Sequence, residues 1–210
     1  MAMQWRRAGA VATLAVAFLG TSLPALAQAV ADATASVYAQ RYATICAACH
    51  GADGRSTLAL TPSLAGQPSF YAITQLFLFR DGRRDNALMS AIAKGMSDDD
   101  LRGYSDFIAT LPAAALATAP EGTPLDAQRL ARGAALSARL HCMACHGAEL
   151  AGGKQVPRLA GQREDYLLHA LRGFREGRRV GYTPAMSEAL AGVAPAELED
   201  LAHYLSAPRP

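Results

Sequence analysis

Cys46-Ala47-Ala48-Cys49-His50 and Cys142-Met143-Ala144-Cys145-His146 are two copies of one five-residue motif, and together they use all four cysteines of the chain. The copies stand 96 residues apart, and the match extends well beyond them. Pro62-Ser63-Leu64-Ala65-Gly66-Gln67 repeats as Pro157-Arg158-Leu159-Ala160-Gly161-Gln162, and Tyr71 repeats as Tyr166. Phe79-Arg80-Asp81-Gly82-Arg83-Arg84 repeats as Phe174-Arg175-Glu176-Gly177-Arg178-Arg179, and Met89-Ser90 as Met186-Ser187. The offset drifts only from 95 to 97, which places short insertions in loops. A unit this long, present twice, is a duplicated domain and not a solenoid of short repeats.

The stretch from Pro112 to Pro124 is rich in Ala, Pro, Thr and Gly with one acid, and reads as an exposed linker. The expected domains are therefore residues 30–111 and 125–210, with a linker at 112–124. Ahead of them, Arg6 and Arg7, the apolar run from Ala8 to Gly20, and Ala25-Leu26-Ala27 have the form of a secretory signal, expected to span residues 1–27. The rival reading, a membrane anchor, needs roughly 20 apolar residues, and this run is shorter. Removing Arg6 and Arg7 takes the basic count from 20 to 18 against 18 acids, a formal charge of zero. Nothing in that balance suggests a nucleic-acid partner.

Within each unit the apolar spacing is helical. Asp126 caps a helix through Leu130, Ala134 and Leu140 that delivers Cys142, and Asp32 or Thr34 opens its counterpart. Further helices are expected over Ser69 to Arg80 and Glu164 to Glu176. The last ones start at Ser97, with Asp100 completing a capping box, and at Pro195, suited to a first helical turn. Long alternating runs are missing, so the expected fold is all-α: two tandem helical domains. About 80 residues make a marginal core, so a large buried cofactor would supply much of the apolar surface.

Two thiols three positions apart at a helix end can reach the two vinyl groups on one edge of a haem, and the adjacent histidine then faces the iron. That is the mechanical basis of Cys-x-x-Cys-His as a c-type attachment site. Cys46 and Cys49, then Cys142 and Cys145, are the expected thioether positions of two covalent haem c groups. Export favours disulfides, but the motif context argues otherwise. A structural zinc would have to join cysteine pairs from separate domains. Thioredoxin-like chemistry would want a βαβ setting absent here.

His50 and His146 are the expected proximal ligands. Methionine opposite histidine gives the higher-potential arrangement of electron carriers. Met186 is the one methionine of the second copy beyond its motif, and its equivalent is Met89. Methionine is also common core filler, a role that fits Met96 and Met143. His169 and His203 lack histidine counterparts, Thr74 and Phe107 taking those places, and read as surface or helix-face residues. The carbonyls of Pro62 and Pro157 can accept the second ring N–H of each proximal histidine. Arg83, Arg84, Arg178 and Arg179 read either as partners of haem propionates or as ordinary solvated arginines.

On these residues the chain resembles the dihaem cytochrome c4 family of periplasmic proteins, built from two class I cytochrome c domains. The resemblance covers nearly all of the mature chain. It implies two His/Met haems close together across a pseudo-twofold interface, and electron delivery from a donor such as a quinol-oxidising complex toward a terminal oxidase. One position departs: Gly133 sits where such domains pack the first helix tightly against the last, and the first copy has Val37 there.

The expected function is single-electron transfer in the periplasm through redox protein partners, without substrate turnover and with membrane association only through partners or an uncleaved signal. A rival is an electron-transfer subunit of an alcohol- or sulfur-compound dehydrogenase. Another is a haem peroxidase, which needs an open iron position that Met89 and Met186 would close. Residues 32–111 carry seven basic and eight acidic side chains and residues 125–210 eleven and nine, too even for strong steering.

Overall fold

A computed structural model describes residues 33–34, 37–113 and 125–209. The expected export segment, and the linker beyond its first two residues, lie outside the described residues. Both halves are helical. In the first, α1 (residues 37–45) runs into the short α2 (Ala47–His50), followed by α3 (Ser69–Arg80), α4 (Ala87–Ala93) and α5 (Asp98–Thr110). The second repeats the order as α6 (Ala127–Arg139), α7 (Cys142–His146), α8 (Glu164–Arg175), α9 (Ala185–Ala189) and α10 (Pro195–Ser206). Among the described residues the only extended pairing is an isolated bridge between Gly153 and Val156.

Local chemistry sets the helix starts. The Ser97 hydroxyl accepts from Asp100 N and the Asp100 carboxylate accepts from Ser97 N, closing the capping box that begins α5. Asp126 accepts from the backbone N–H groups of Gln128 and Arg129 to begin α6. Pro195 occupies the first turn of α10, where its missing N–H leaves no bond unmade.

In each half the first helix crosses the last, and a glycine lies at each crossing. In the second half it is Gly133 on α6: a Cβ there would lie 2.2 Å from the Asp200 carbonyl oxygen. In the first half Val37 is exposed, and the glycine is Gly103 on α5, where a Cβ would lie 1.9 Å from the Tyr38 ring. Gly103 aligns with Asp200. Close helix contact is therefore kept in the first domain, with the small residue moved to the opposite helix.

The cores differ in material. Leu136, Leu167, Leu171, Leu198, Leu201 and Leu205 belong to one continuous aliphatic cluster in the second half. The first half has two smaller clusters, one around Tyr42, Ala72 and Ile108 and one around Tyr38, Leu76, Leu101 and Tyr104. Ring pairs Tyr38–Tyr104 and Tyr42–Phe107, each 5.1 Å between centroids, give the first core an aromatic share that the buried residues of the leucine-rich second cluster lack.

Candidate haem sites and the seam between them

Each Cys-x-x-Cys-His motif is a short helix stopped by glycine: Gly51 at φ 81° and Gly147 at φ 77°. At Gly51 a Cβ would lie 2.2 Å from the Arg55 carbonyl oxygen, so both the turn and the space require glycine. The Tyr42 hydroxyl donates to the Gly51 carbonyl at 2.9 Å, tying the end of the motif back to α1. No disulfide joins the four cysteines; Cys145 is exposed and the others half-buried. Among the described residues no three His, Cys, Asp or Glu side chains converge, the grouping a structural zinc requires.

His50 and His146 are buried, 7% and 6% exposed. The loop that meets them is pinned alike in both halves. Leu64 and Ala65 N–H donate to the Gly54 carbonyl, and Leu159 and Ala160 N–H to the Leu150 carbonyl. This presents the proline carbonyl to the ring: His50 Nδ1 lies 2.8 Å from Pro62 O and His146 Nδ1 lies 3.0 Å from Pro157 O. A carbonyl only accepts, so Nδ1 carries the proton and Nε2 keeps its lone pair. Burial pushes both imidazoles below their ordinary pKa, against the carbonyl's opposing pull, which favours the neutral, metal-binding form.

His50 and Met89 line one cavity of about 570 Å³, within the roughly 300–1,000 Å³ of cofactor sites. Pro62, Leu64, Leu76, Phe79 and Ile108 line it too, so it borders both small clusters of the first core. Asn86 caps α4 by accepting from Met89 N at 2.9 Å, which places that methionine on the first turn. Met186 lies on the five-residue α9 and packs, with Cys142, against the second core. Met96 is also packed against core, but Met143 is 48% exposed and fills no interior space.

The histidines without repeats have distinct places. His169 is exposed at the cavity rim. His203 is not a surface residue: it is 2% exposed, its Nδ1 lies 2.8 Å from Glu164 Oε2, and its Nε2 accepts from Asp126 N at 3.0 Å. Its structural counterpart is Asp106, not Phe107, because Ser69 Oγ donates to Asp106 Oδ1 where Glu164 meets His203. The last helices align at the offset of 97.

The two halves meet along a seam that reading each half alone does not reveal. Gln162 Oε1 accepts from Ser63 N and Gln162 Nε2 donates to Ser63 O, both at 2.8 Å. Gln67 returns the same pair to Arg158, accepting from its N at 3.1 Å and donating to its O at 2.9 Å. Equivalent residues exchange equivalent bonds, which defines a local pseudo-twofold axis. The signal available in the sequence was the glutamine ending both Pro-x-Leu-Ala-Gly-Gln segments.

The arginine pairs divide. Arg83 and Arg178 are exposed, and Arg178 pairs with Glu176. Arg84 and Arg179 turn into the seam and lie over Phe79 and Phe174, at 4.3 and 4.7 Å from the ring centroids. Arg84 donates to Gln75 Oε1 at 2.7 Å and to the Tyr166 hydroxyl at 2.8 Å. Arg179 donates to the Tyr182 hydroxyl at 3.2 Å, and Tyr182 in turn donates to Gln75 Oε1. Burial favours neutral Tyr166, but the two guanidinium groups outweigh it and draw the phenol below its ordinary pKa.

Residues 32–108 match the family described as cytochrome C oxidase, cbb3-type, subunit III, and residues 130–207 match the family described as cytochrome c. Cytochrome c4 of Pseudomonas aeruginosa is 31% identical over 195 residues, covering 89% of this chain and 94% of that protein. A thiosulfate dehydrogenase electron acceptor of Stutzerimonas stutzeri is 37% identical over 142 residues, 65% of this chain and 66% of its own. Among solved structures, reduced recombinant cytochrome c4 from Pseudomonas stutzeri superposes with TM-score 0.72 at 26% identity, covering 83% of this chain and 98% of that one. Thiosulfate dehydrogenase from Marichromatium purpuratum superposes with TM-score 0.64 at 31% identity, over 77% of this chain and 36% of that one. The chain therefore belongs to the cytochrome c4 family, electron-transfer proteins in which each of two helical cytochrome c domains carries a covalently bound haem c.

Proposed function

We propose that Cys46 and Cys49 hold the first haem and Cys142 and Cys145 the second, with His50/Met89 and His146/Met186 as axial pairs. The observation that carries this is the shared cavity of His50 and Met89, with His50 Nδ1 already engaged by Pro62 and its other nitrogen left to bind metal. Haem supplies reversible one-electron chemistry. The chain's own residues attach it, fix the histidine tautomer through Pro62 and Pro157, exclude water, and offer Arg84 and Arg179 to its propionates. Two closed axial pairs suit transfer and leave no position for peroxide.

The working compartment is the periplasm, and the carrier passes single electrons from a quinol-oxidising donor toward a terminal oxidase. Among the described residues no helix is long and apolar enough to cross a membrane. A second reading, acceptor or subunit for a periplasmic dehydrogenase, is favoured by the 37% identity to a thiosulfate dehydrogenase electron acceptor. An optical spectrum of exported protein, with haem counted per chain and carbon monoxide added to the reduced form, tests the ligand sets. Two haems that ignore the gas support closed axial pairs; gas binding at either iron overturns that ligand set. Copurification of a dehydrogenase would favour the second reading over a free carrier.

A further inference from the structure

Gln75 is a seam residue whose counterpart cannot do the same work. It lies on α3, is 7% exposed, and lines the cavity of His50 and Met89. Its Oε1 accepts from Arg84 and from Tyr182. A guanidinium can only donate, so these bonds fix which end of the amide is oxygen. The Nε2 end is buried and has no partner within the protein. A buried amide donor left unmade is costly, so its placement calls for an acceptor in that cavity.

The repeat makes this a difference between the two sites. Gln75 aligns with Ala170, which has no side-chain donor. Tyr182, which helps to aim the amide, falls where the second copy is two residues longer: seven positions separate Arg179 from Met186, and five separate Arg84 from Met89. The bridge thus joins a residue special to the first copy to one supplied by the insertion in the second.

We infer that Gln75 Nε2 donates a hydrogen bond to a carboxylate of the first haem and thereby raises the reduction potential of that haem relative to what its ligands alone would set. The inference rests on the proposed reading that the His50/Met89 cavity holds the first haem. A carboxylate near the iron stabilises the ferric form, which carries one more positive charge. A donor bound to that carboxylate weakens its field and favours the ferrous form. The electron enters and leaves through the redox partner, and no bond to Gln75 breaks.

The test is a mediated spectroelectrochemical titration of the holoprotein, resolved into two one-electron steps. Gln75→Leu should weaken reduction in one step about three- to tenfold, roughly 28–59 mV at 59 mV per decade, and leave the other step in place. The displaced step should be the one that Met89→Ala also moves. Gln75→Glu should lower the same step further and make it pH-dependent. With two haems per chain retained, no shift, an equal shift in both steps, or movement of the Met186-dependent step would overturn the inference. If Gln75→Leu fails to assemble, Tyr182→Phe removes one of the two bonds that aim the amide; a fall in the same step supports the inference and no change overturns it. Carbon monoxide binding by wild-type protein overturns the ligand assignment alone, because the Gln75 shift stays measurable.

Discussion

Replacing Gln162 by alanine tests how strongly the seam holds the halves together. The substitution removes two hydrogen bonds to the backbone of Ser63, a residue 2% exposed, and also the Arg163 N–H bond to the same amide oxygen at 3.0 Å. Each buried backbone group left without a partner costs about 1–3 kcal/mol, so the two groups of Ser63 together lose about 2–6 kcal/mol. Gln67→Ala strips the half-buried Arg158 of the same pair of bonds, and water can replace part of them, so the expected loss is smaller, about 1–3 kcal/mol. Against a typical total of about 5–15 kcal/mol, the first is a large fraction of folded-state stability. Denaturant unfolding of the holoprotein, followed at the haem and by elastase cleavage in the alanine-rich linker, gives both numbers. The double variant should depart from additivity, because both glutamines close one interface. A Gln162→Ala loss below about 0.5 kcal/mol, with cleavage unchanged, would show that the seam is held by other contacts.

Other outcomes follow from the same geometry. Met186→Ala should open the second iron to carbon monoxide and lower its potential while both thioethers persist; an unchanged spectrum and potential would assign the ligand elsewhere. Gly133→Ala sets a Cβ against backbone of α10 and Gly103→Ala sets one against the Tyr38 side chain, so thermal melts should show the larger loss, about 3 kcal/mol or more, for Gly133. Asp165 accepts from Leu60 N across the seam, and although burial opposes its ionisation, the Arg163 pairing and backbone donors hold its carboxyl below the ordinary range. Its contribution is therefore present above the unfolded value of about 3.9 and lost as pH falls through the lower folded value. Melting temperatures between pH 6 and 3 should fall less steeply in Asp165→Asn than in wild type, and parallel curves would refute the assignment.

What the sequence disclosed and what it hid divide along physical lines. Ser97, Asp126 and Pro195 act on backbone within a few residues, so local chemistry revealed those helix starts. Repetition singled out the proposed ligands Met89 and Met186 and the proline carbonyls, because a duplicated site repeats the residues that build it. Gln67 and Gln162 were visible only as repeated residues with no role attached, since their partners are backbone atoms more than 90 positions away. The buried place of His203 was hidden similarly: its carboxylate partner lies on another helix, 39 residues off. Gly103 was overlooked because the small residue was sought on the first helix, whereas a crossing requires it only on one of the two.

That last exchange limits how the gene can change. Suppose recombination between the repeats joined α1 of the first domain to α10 of the second. Tyr38 would then face Asp200 with no glycine on either helix, and the ring would collide with the Asp200 Cβ. The reciprocal product would set Gly133 against Gly103 and leave a void between the helices. Either hybrid starts life misfit, so a duplication whose halves have diverged at one crossing resists being shuffled back into a single-haem protein or extended into a third copy.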